Sequence, residues 1–216
     1  MPYDSPHFRL EPLAQGVYAA LAKPEGWAWS NAGIIDLGGY TLVFDTFFSP
    51  AAGEDLRRAA EIVTGRTVTW VVNSGYSLLH IGGNQAFPNA TILSTPTARQ
   101  LMTDRLCALM QVWRKNPTPL LEEVRRDGYA FSDEEQAALD RNLLEMLPGL
   151  HVTTPEQTFS GPTALHGSLR SVELRTLEDD PAGRCILTLE DEGILFCGSA
   201  RLPEQRTMRA IPGRGF

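Results

Sequence analysis

Residues 41–84 constrain the fold more than any other stretch of this chain. Two short apolar runs, TLVFDT and TVTWVVNS, flank a segment with helical periodicity. Within that segment Leu56, Ala59, Ala60 and Val63 fall on one helical face. Ser49 stands where an N-cap accepts an orphan backbone N–H, and Pro50 fits the first turn, where its missing N–H costs nothing. Gly65 ends the segment as a left-handed residue would. Upstream, GVYAALA and NAGIIDLGGYTLVFDT read as strands, with a hairpin turn at Gly38-Gly39. Strand, helix and strand then run into VVNSGYSLLHIGGN (71–84), and strand-end loops of this kind are where α/β proteins hold ligands.

After the strand ATILST the character changes, and the chain reads as helical from about Thr97 to Leu147. Met102, Leu106, Leu109 and Trp113 form one stripe, which points to core packing or, as the alternative, to a docking face. Thr118-Pro119 restarts a helix, and Ser132 with Glu135 has the spacing of a capping box. Strands return in SLRSVELRTL, RCILTLED and GILFCGS, with a turn at Asp191-Glu192-Gly193. The expected class is α/β (α+β), with a helical insert at about 97–147.

At 216 residues there is material for one sizeable core. A net charge of −7, with basic residues scattered among acids, provides no face for neutralising phosphates, so no nucleic-acid partner is expected. No apolar run is long enough to cross a bilayer, and the N-terminus lacks the basic-then-apolar order of a secretory signal. Cys107, Cys185 and Cys197 are too few and too widely spaced for a disulfide framework or a zinc ribbon. A cytoplasmic location is the expectation.

Several weak motifs in one order carry a resemblance. Gly16-Val17-Tyr18, the hairpin Asn31 to Gly38, Asp45-Thr46, Ile81-Gly82-Gly83-Asn84 and the late strand EDEGILFCGS together resemble the metallo-β-lactamase superfamily. The resemblance spans roughly residues 10–95 and 150–208. It implies an αβ/βα sandwich of two mixed sheets flanked by helices, here a single domain over 1–216 with the insert at 97–147 and an incomplete second half. In that family two zinc ions, held by histidines and acids, lower the pKa of a bridging water and polarise the group under attack.

Carried over position by position, the ligand set is depleted. The H-x-H-x-D-H motif falls on Gly75, Ser77, Leu79 and His80, so only its last histidine remains. The third-histidine position aligns with Asp180, and the metal-bridging aspartate with Ser199. Arg214 in IPGRGF stands in an echo of the final P-G-H-G, though too close to Ser199 to align. Glycine and leucine have no donor and serine is a poor neutral one, whereas a zinc site takes three or more protein donors. No bound cofactor is expected, although zinc would be expected of an intact member.

On this reading the chain is catalytically inactive as a metallohydrolase and acts by ligand binding or protein association. Leu78 and Leu79 fill space where charge would gather, Ser77 caps a short helix through Ile81, and His80 is a hydrogen-bonded, partly buried histidine. His7, His151 and His166 read as surface residues. The alternative is a hydrolase of ester, thioester or lactam type with a reduced site. There His80 acts as base or ligand, Asp180 as its partner, and Ser77 or Ser199 as a polar contact. Glu178-Asp179-Asp180 facing His80 would also suit a hard cation. The chain stops about seventeen residues after Ser199. If the family fold is otherwise kept, apolar surface stays uncovered there, so a homo-oligomer or protein partner is expected at that edge or at the helical insert.

Overall fold

The computed structural model describes residues 3–127, 133–198, 200 and 209–212. One sheet runs in chain order: β1 (Phe8–Ala14), β2 (Val17–Ala22), β3 (Ala32–Asp36), β4 (Thr41–Phe44), β5 (Trp70–Val72), β6 (Thr91–Ser94) and β7 (Gln157–Thr158). Its first four strands pair antiparallel, and β4 to β7 pair parallel. The second sheet holds β8 (Thr163–His166), β9 (Ser171–Thr176), β10 (Cys185–Leu189), β11 (Ile194–Gly198) and β12 (Arg209–Pro212), ordered β12-β11-β10-β9-β8. β11 and β12 are parallel, the rest antiparallel. Both sheets are mixed, as expected.

Local chemistry explains the first helix, α1 (Pro50–Thr64). Ser49 Oγ accepts from the Ala52 N–H, Pro50 lies in the first turn, and Gly65 closes the helix at φ 70°. The face carrying Ala52, Leu56, Ala59 and Ala60 packs on Ile34, Val43 and Val71 of the first sheet. The opposite face of that sheet, through Ile35, Leu42, Phe44 and Val72, meets Leu174, Leu187 and Phe196 of the second. Strands β4 and β5 are therefore covered on both sides, which is why they read as continuous apolar runs rather than alternating ones.

The insert is helical, with α2 (Leu78–Ile81) in the motif loop and α3 (Pro96–Leu101), α4 (Cys107–Lys115), α5 (Thr118–Asp127) and α6 (Asp133–Met146) beyond it. A π turn over Met102–Leu106 joins α3 to α4. The stripe Met102, Leu106 and Trp113 is buried, with Leu109 partly so, against Phe48, Leu78 and Ile81. It is core and so gives no docking face. Among the described residues of this region, the exposed large apolar side chains are Val112 and Leu144. Ser132 and the side chain of Glu135 lie outside the described residues, as do Ser199, Arg214 and most of the C-terminal edge. Among the described residues no helix is long and apolar enough to cross a membrane.

Candidate functional site

The loop 73–84 is held by the segment after β4. Parallel pairing brings Asp45 and Asn73 together at the ends of adjacent strands, with Asp45 N–H donating to Val72 O and Asn73 N–H to Leu93 O. Asp45 and Phe47 take positive φ, 61° and 69°. Aspartate tolerates that region, whereas a phenylalanine there is strained by about 1–3 kcal/mol. The kink lets the chain turn across the motif loop: Thr46 N–H reaches His80 O at 2.8 Å and Gly83 N–H reaches Phe47 O at 3.2 Å. Gly82 and Gly83 are required by this crossing. A methyl carbon on Gly82 would overlap the Phe48 carbonyl oxygen, and one on Gly83 the Thr46 carbonyl oxygen.

Asp45 is the centre of the polar cluster. It is fully buried; Oδ1 accepts from the Ser74 N–H at 2.7 Å, and Oδ2 accepts from Ser74 Oγ at 2.7 Å and His80 Nδ1 at 2.9 Å. His80 therefore carries a hydrogen on Nδ1, and its ring is only 1% exposed. The Ser74 carbonyl in turn accepts from the Cys185 N–H at 2.9 Å, so one carboxylate ties β4, β5 and α2 to the second sheet. Beside it Asn73 and Asn84 exchange side-chain hydrogen bonds of 3.0 and 2.9 Å. Asn84 also accepts from Thr46 Oγ1 and donates to Thr153 O, which uses its whole amide. Burial pushes the Cys185 thiol far up, and that of Cys197 up as well, with the Asp45 charge adding to both. Neither thiol is poised to act as a thiolate.

Among the described residues, the expected site residues take different partners. His80 has its carboxylate partner in Asp45 instead of Asp180. Asp180 lies in a turn clamped to Arg184: its oxygens accept from Arg184 Nε at 2.8 Å and Nη2 at 3.0 Å, and from the Arg184 N–H. Glu178 and Asp179 are exposed. Ser77 sits at the N-cap position of α2, but its side chain makes no capping bond. The Ser77 carbonyl accepts from the His80 N–H at 2.9 Å, and the loop is pinned by Asp45. Leu78 is buried and Leu79 partly buried in the apolar cluster, as expected of residues filling the space. His151 and His166 are exposed, but His7 is half-buried and accepts a hydrogen bond from the Trp27 N–H.

Zinc does not fit these side chains. At the motif positions Gly75 and Leu79 lack donors, Ser77 has only a neutral hydroxyl, His80 offers a single buried ring nitrogen beyond its Nδ1 bond to Asp45, and both Asp180 oxygens are held by Arg184. Among the described residues no group of three or more His, Cys, Asp or Glu side chains converges as a metal site needs. The loop is also roofed. Between β2 and β3, Trp27 stacks on Trp29 at 5.3 Å and Trp29 on Phe48 at 4.2 Å, while Ser30 Oγ donates to Leu79 O at 2.6 Å. An open groove of about 490 Å³ lies elsewhere, between α1 and residues 85–90, lined by Glu54, Arg57, Glu61, Gln85, Phe87 and Asn89.

The Asp45 hub and the tryptophan roof were not foreseen as site features. The available signals were an acid directly after a buried strand, which must find partners, and two tryptophans spaced i, i+2 behind Pro24 and Gly26.

The Asp180 clamp has a pH signature. The Arg184 side chain, helped by backbone N–H groups, holds its carboxyl at about 2, below the ordinary 3.8. A lowered folded-state pKa gives stability that is complete above about pH 4 and is lost as pH falls through about 2. Asp180→Asn is expected to cost about 1–2 kcal/mol at pH 7, discounted for the partly exposed Arg184. By pH 2 most of the difference from wild type should be gone in denaturant titrations; an equal difference at both pH values would contradict the clamp.

No protein-family model matches the sequence, and no curated protein matches it. Solved structures do. A metallo-β-lactamase from Pontibacter korlensis superposes with a TM-score of 0.58 at 13% identity, covering 88% of this chain and 71% of that one. One from Erythrobacter litoralis gives 0.57 at 14%, covering 90% and 72%. The mono-zinc form of a Pseudomonas aeruginosa enzyme gives 0.57 at 14%, covering 91% and 70%. The chain has the metallo-β-lactamase fold.

Proposed function

We propose that this metallo-β-lactamase-fold chain works without a hydrolytic zinc centre, by holding a ligand or a partner chain. The observation that carries the reading is the donor set: among the described residues no three His, Cys, Asp or Glu side chains converge around His80, whose ring is buried against Asp45. Donation from His80 Nδ1 to a carboxylate is compatible with a metal on Nε2, but the ring is buried and among the described residues no further His, Cys, Asp or Glu side chains converge to complete a zinc site. The family chemistry needs a metal-bound water, or failing that a nucleophile with a free base. Ser74 gives its proton to Asp45 and not to a histidine, so the cluster lacks the relay of a serine hydrolase.

The reduced-site hydrolase is the competing reading; against it, Asp180 is paired with Arg184 instead of His80, and the His80 ring is buried beside Asp45. Binding would then use surfaces away from the motif. The groove beside α1 has a size common for small-molecule sites, and Val112 and Leu144 leave apolar surface on the insert. Assays with ester, thioester and β-lactam reporters, run with zinc supplied, are expected to give no turnover above buffer. Turnover that disappears in His80→Ala or Asp180→Ala would overturn the reading in favour of the hydrolase.

A further inference from the structure

The roof over the motif loop is anchored by a titratable group. Residues 23–31 leave β2 and at once bind the N-terminal arm: Lys23 N–H donates to His7 O at 2.9 Å, and Lys23 Nζ to Ser5 O at 2.6 Å. Trp27 N–H donates to His7 Nδ1 at 3.2 Å. A backbone amide can only donate, so His7 must present a bare Nδ1, which fixes the ring as neutral with its hydrogen on Nε2. Gly26 packs so closely on the His7 backbone that a methyl carbon there would overlap it. The arm itself is moored to α1 by Asp55, which accepts from Tyr3 OH at 3.0 Å and Ser5 Oγ at 2.8 Å.

Beyond this anchor the segment is strained. Trp29 has φ 57°, a conformation a bulky side chain rarely adopts, held by the rings of Trp27 and Phe48 stacked against its indole. Ser30 Oγ on Leu79 O and Phe48 N–H on Ala28 O complete the attachment. The stacked ring pairs offset the backbone strain at Trp29 by a modest margin. The balance is close enough for one hydrogen bond to matter.

We propose that residues 23–31 are a proton-sensitive strap, which His7 releases when its ring takes up a proton at Nδ1, uncovering Phe48, Leu78 and Leu79. Protonation turns the acceptor into a donor facing the Trp27 N–H and adds a cation beside Lys23. The charged groups facing His7 are Asp55 from α1, which favours the proton, and Lys23 from the strap, which opposes it; Lys23 is paired with Asp4 at 3.5 Å. Burial outweighs Asp55 and holds the His7 ring below its ordinary 6.5. The closed strap therefore binds the proton less well than the open one, and closure weakens as pH falls below about 6.5. This behaviour does not depend on whether the chain binds zinc.

Hydrogen exchange of the wild-type chain between pH 7.5 and 5.0 tests it. After correction for intrinsic rates, opening of residues 23–31 should rise by up to about tenfold per pH unit, the limit for one proton. Residues 32–44 should stay flat. His7→Asn keeps an acceptor oxygen that does not titrate and should abolish the dependence. An unchanged dependence in His7→Asn, a flat wild type, or an equal rise in residues 32–44 would overturn the strap. Should His7→Asn fail to fold, nuclear magnetic resonance of the wild type decides: the Trp27 and Trp29 indole signals must move with the midpoint of the His7 ring, and separate midpoints would refute the coupling.

Discussion

Asp45→Ala is expected to lower stability by roughly 3–5 kcal/mol, the range for stripping a buried charge-assisted partner and leaving its donors unpaired. Three donors lose their acceptor at once: the Ser74 N–H, the Ser74 hydroxyl and His80 Nδ1. None can recruit water easily, because Ser74 and His80 are themselves buried. His80→Ala removes one of the three bonds and leaves a cavity, and Ser74→Ala removes one bond while keeping the amide. Urea midpoints should therefore rank wild type, Ser74→Ala, His80→Ala and Asp45→Ala, from most to least stable. Since a small domain has only about 5–15 kcal/mol in total, the last variant should be partly unfolded near body temperature. Chelator should leave the wild-type midpoint unmoved. If chelator lowers it as far as His80→Ala does, the histidine holds a metal through Nε2.

Gly82→Ala should be comparably damaging, by about 3 kcal/mol or more, for a different reason. The added methyl has no flexible side chain to displace; it meets the Phe48 carbonyl oxygen, part of a backbone already kinked at Phe47. Overpacking normally costs about 1–3 kcal/mol, and rigid backbone on the far side places this case at the upper end or beyond. Gly149→Ala is the control, since a methyl there meets nothing within 4 Å and should shift the midpoint little. Equal midpoints for the two variants would mean that the 45–48 segment moves away at small cost, and that the crossing does not hold the motif loop.

These two positions show what could be read in advance. The Ile81-Gly82-Gly83-Asn84 run was visible as a motif, and its glycines and asparagine do have definite work: close crossing for the first two, a fully used amide for the last. Helix α1, its caps and the Gly38-Gly39 hairpin were legible because each depends on residues within a few positions of one another. The fold followed from the order of several such pieces, and structures only 13–14% identical share it.

The site was less legible because its bonds are long-range. Asp45 meets Ser74 across 29 positions and His80 across 35, and no local pattern announces either pairing. By sequence Asp45 marks a strand end, and the resemblance offers Asp180 as the acid for His80. Yet Asp180 and Arg184 are spaced i, i+4, so their pairing was within reach of local reasoning. The stripe Met102, Leu106 and Trp113 correctly marked an apolar face, but periodicity cannot say whether such a face meets the chain's own core or another molecule. Here it meets Phe48, Leu78 and Ile81. His7 had no sequence signal, because its role comes from a backbone N–H 20 positions away.

The most direct measurement is the zinc content of protein purified without chelator and dialysed against micromolar zinc, for wild type and His80→Ala side by side. The expected result is well under one ion per chain in both. One or two ions per wild-type chain, absent from His80→Ala, would contradict a zinc-free cluster built on Asp45.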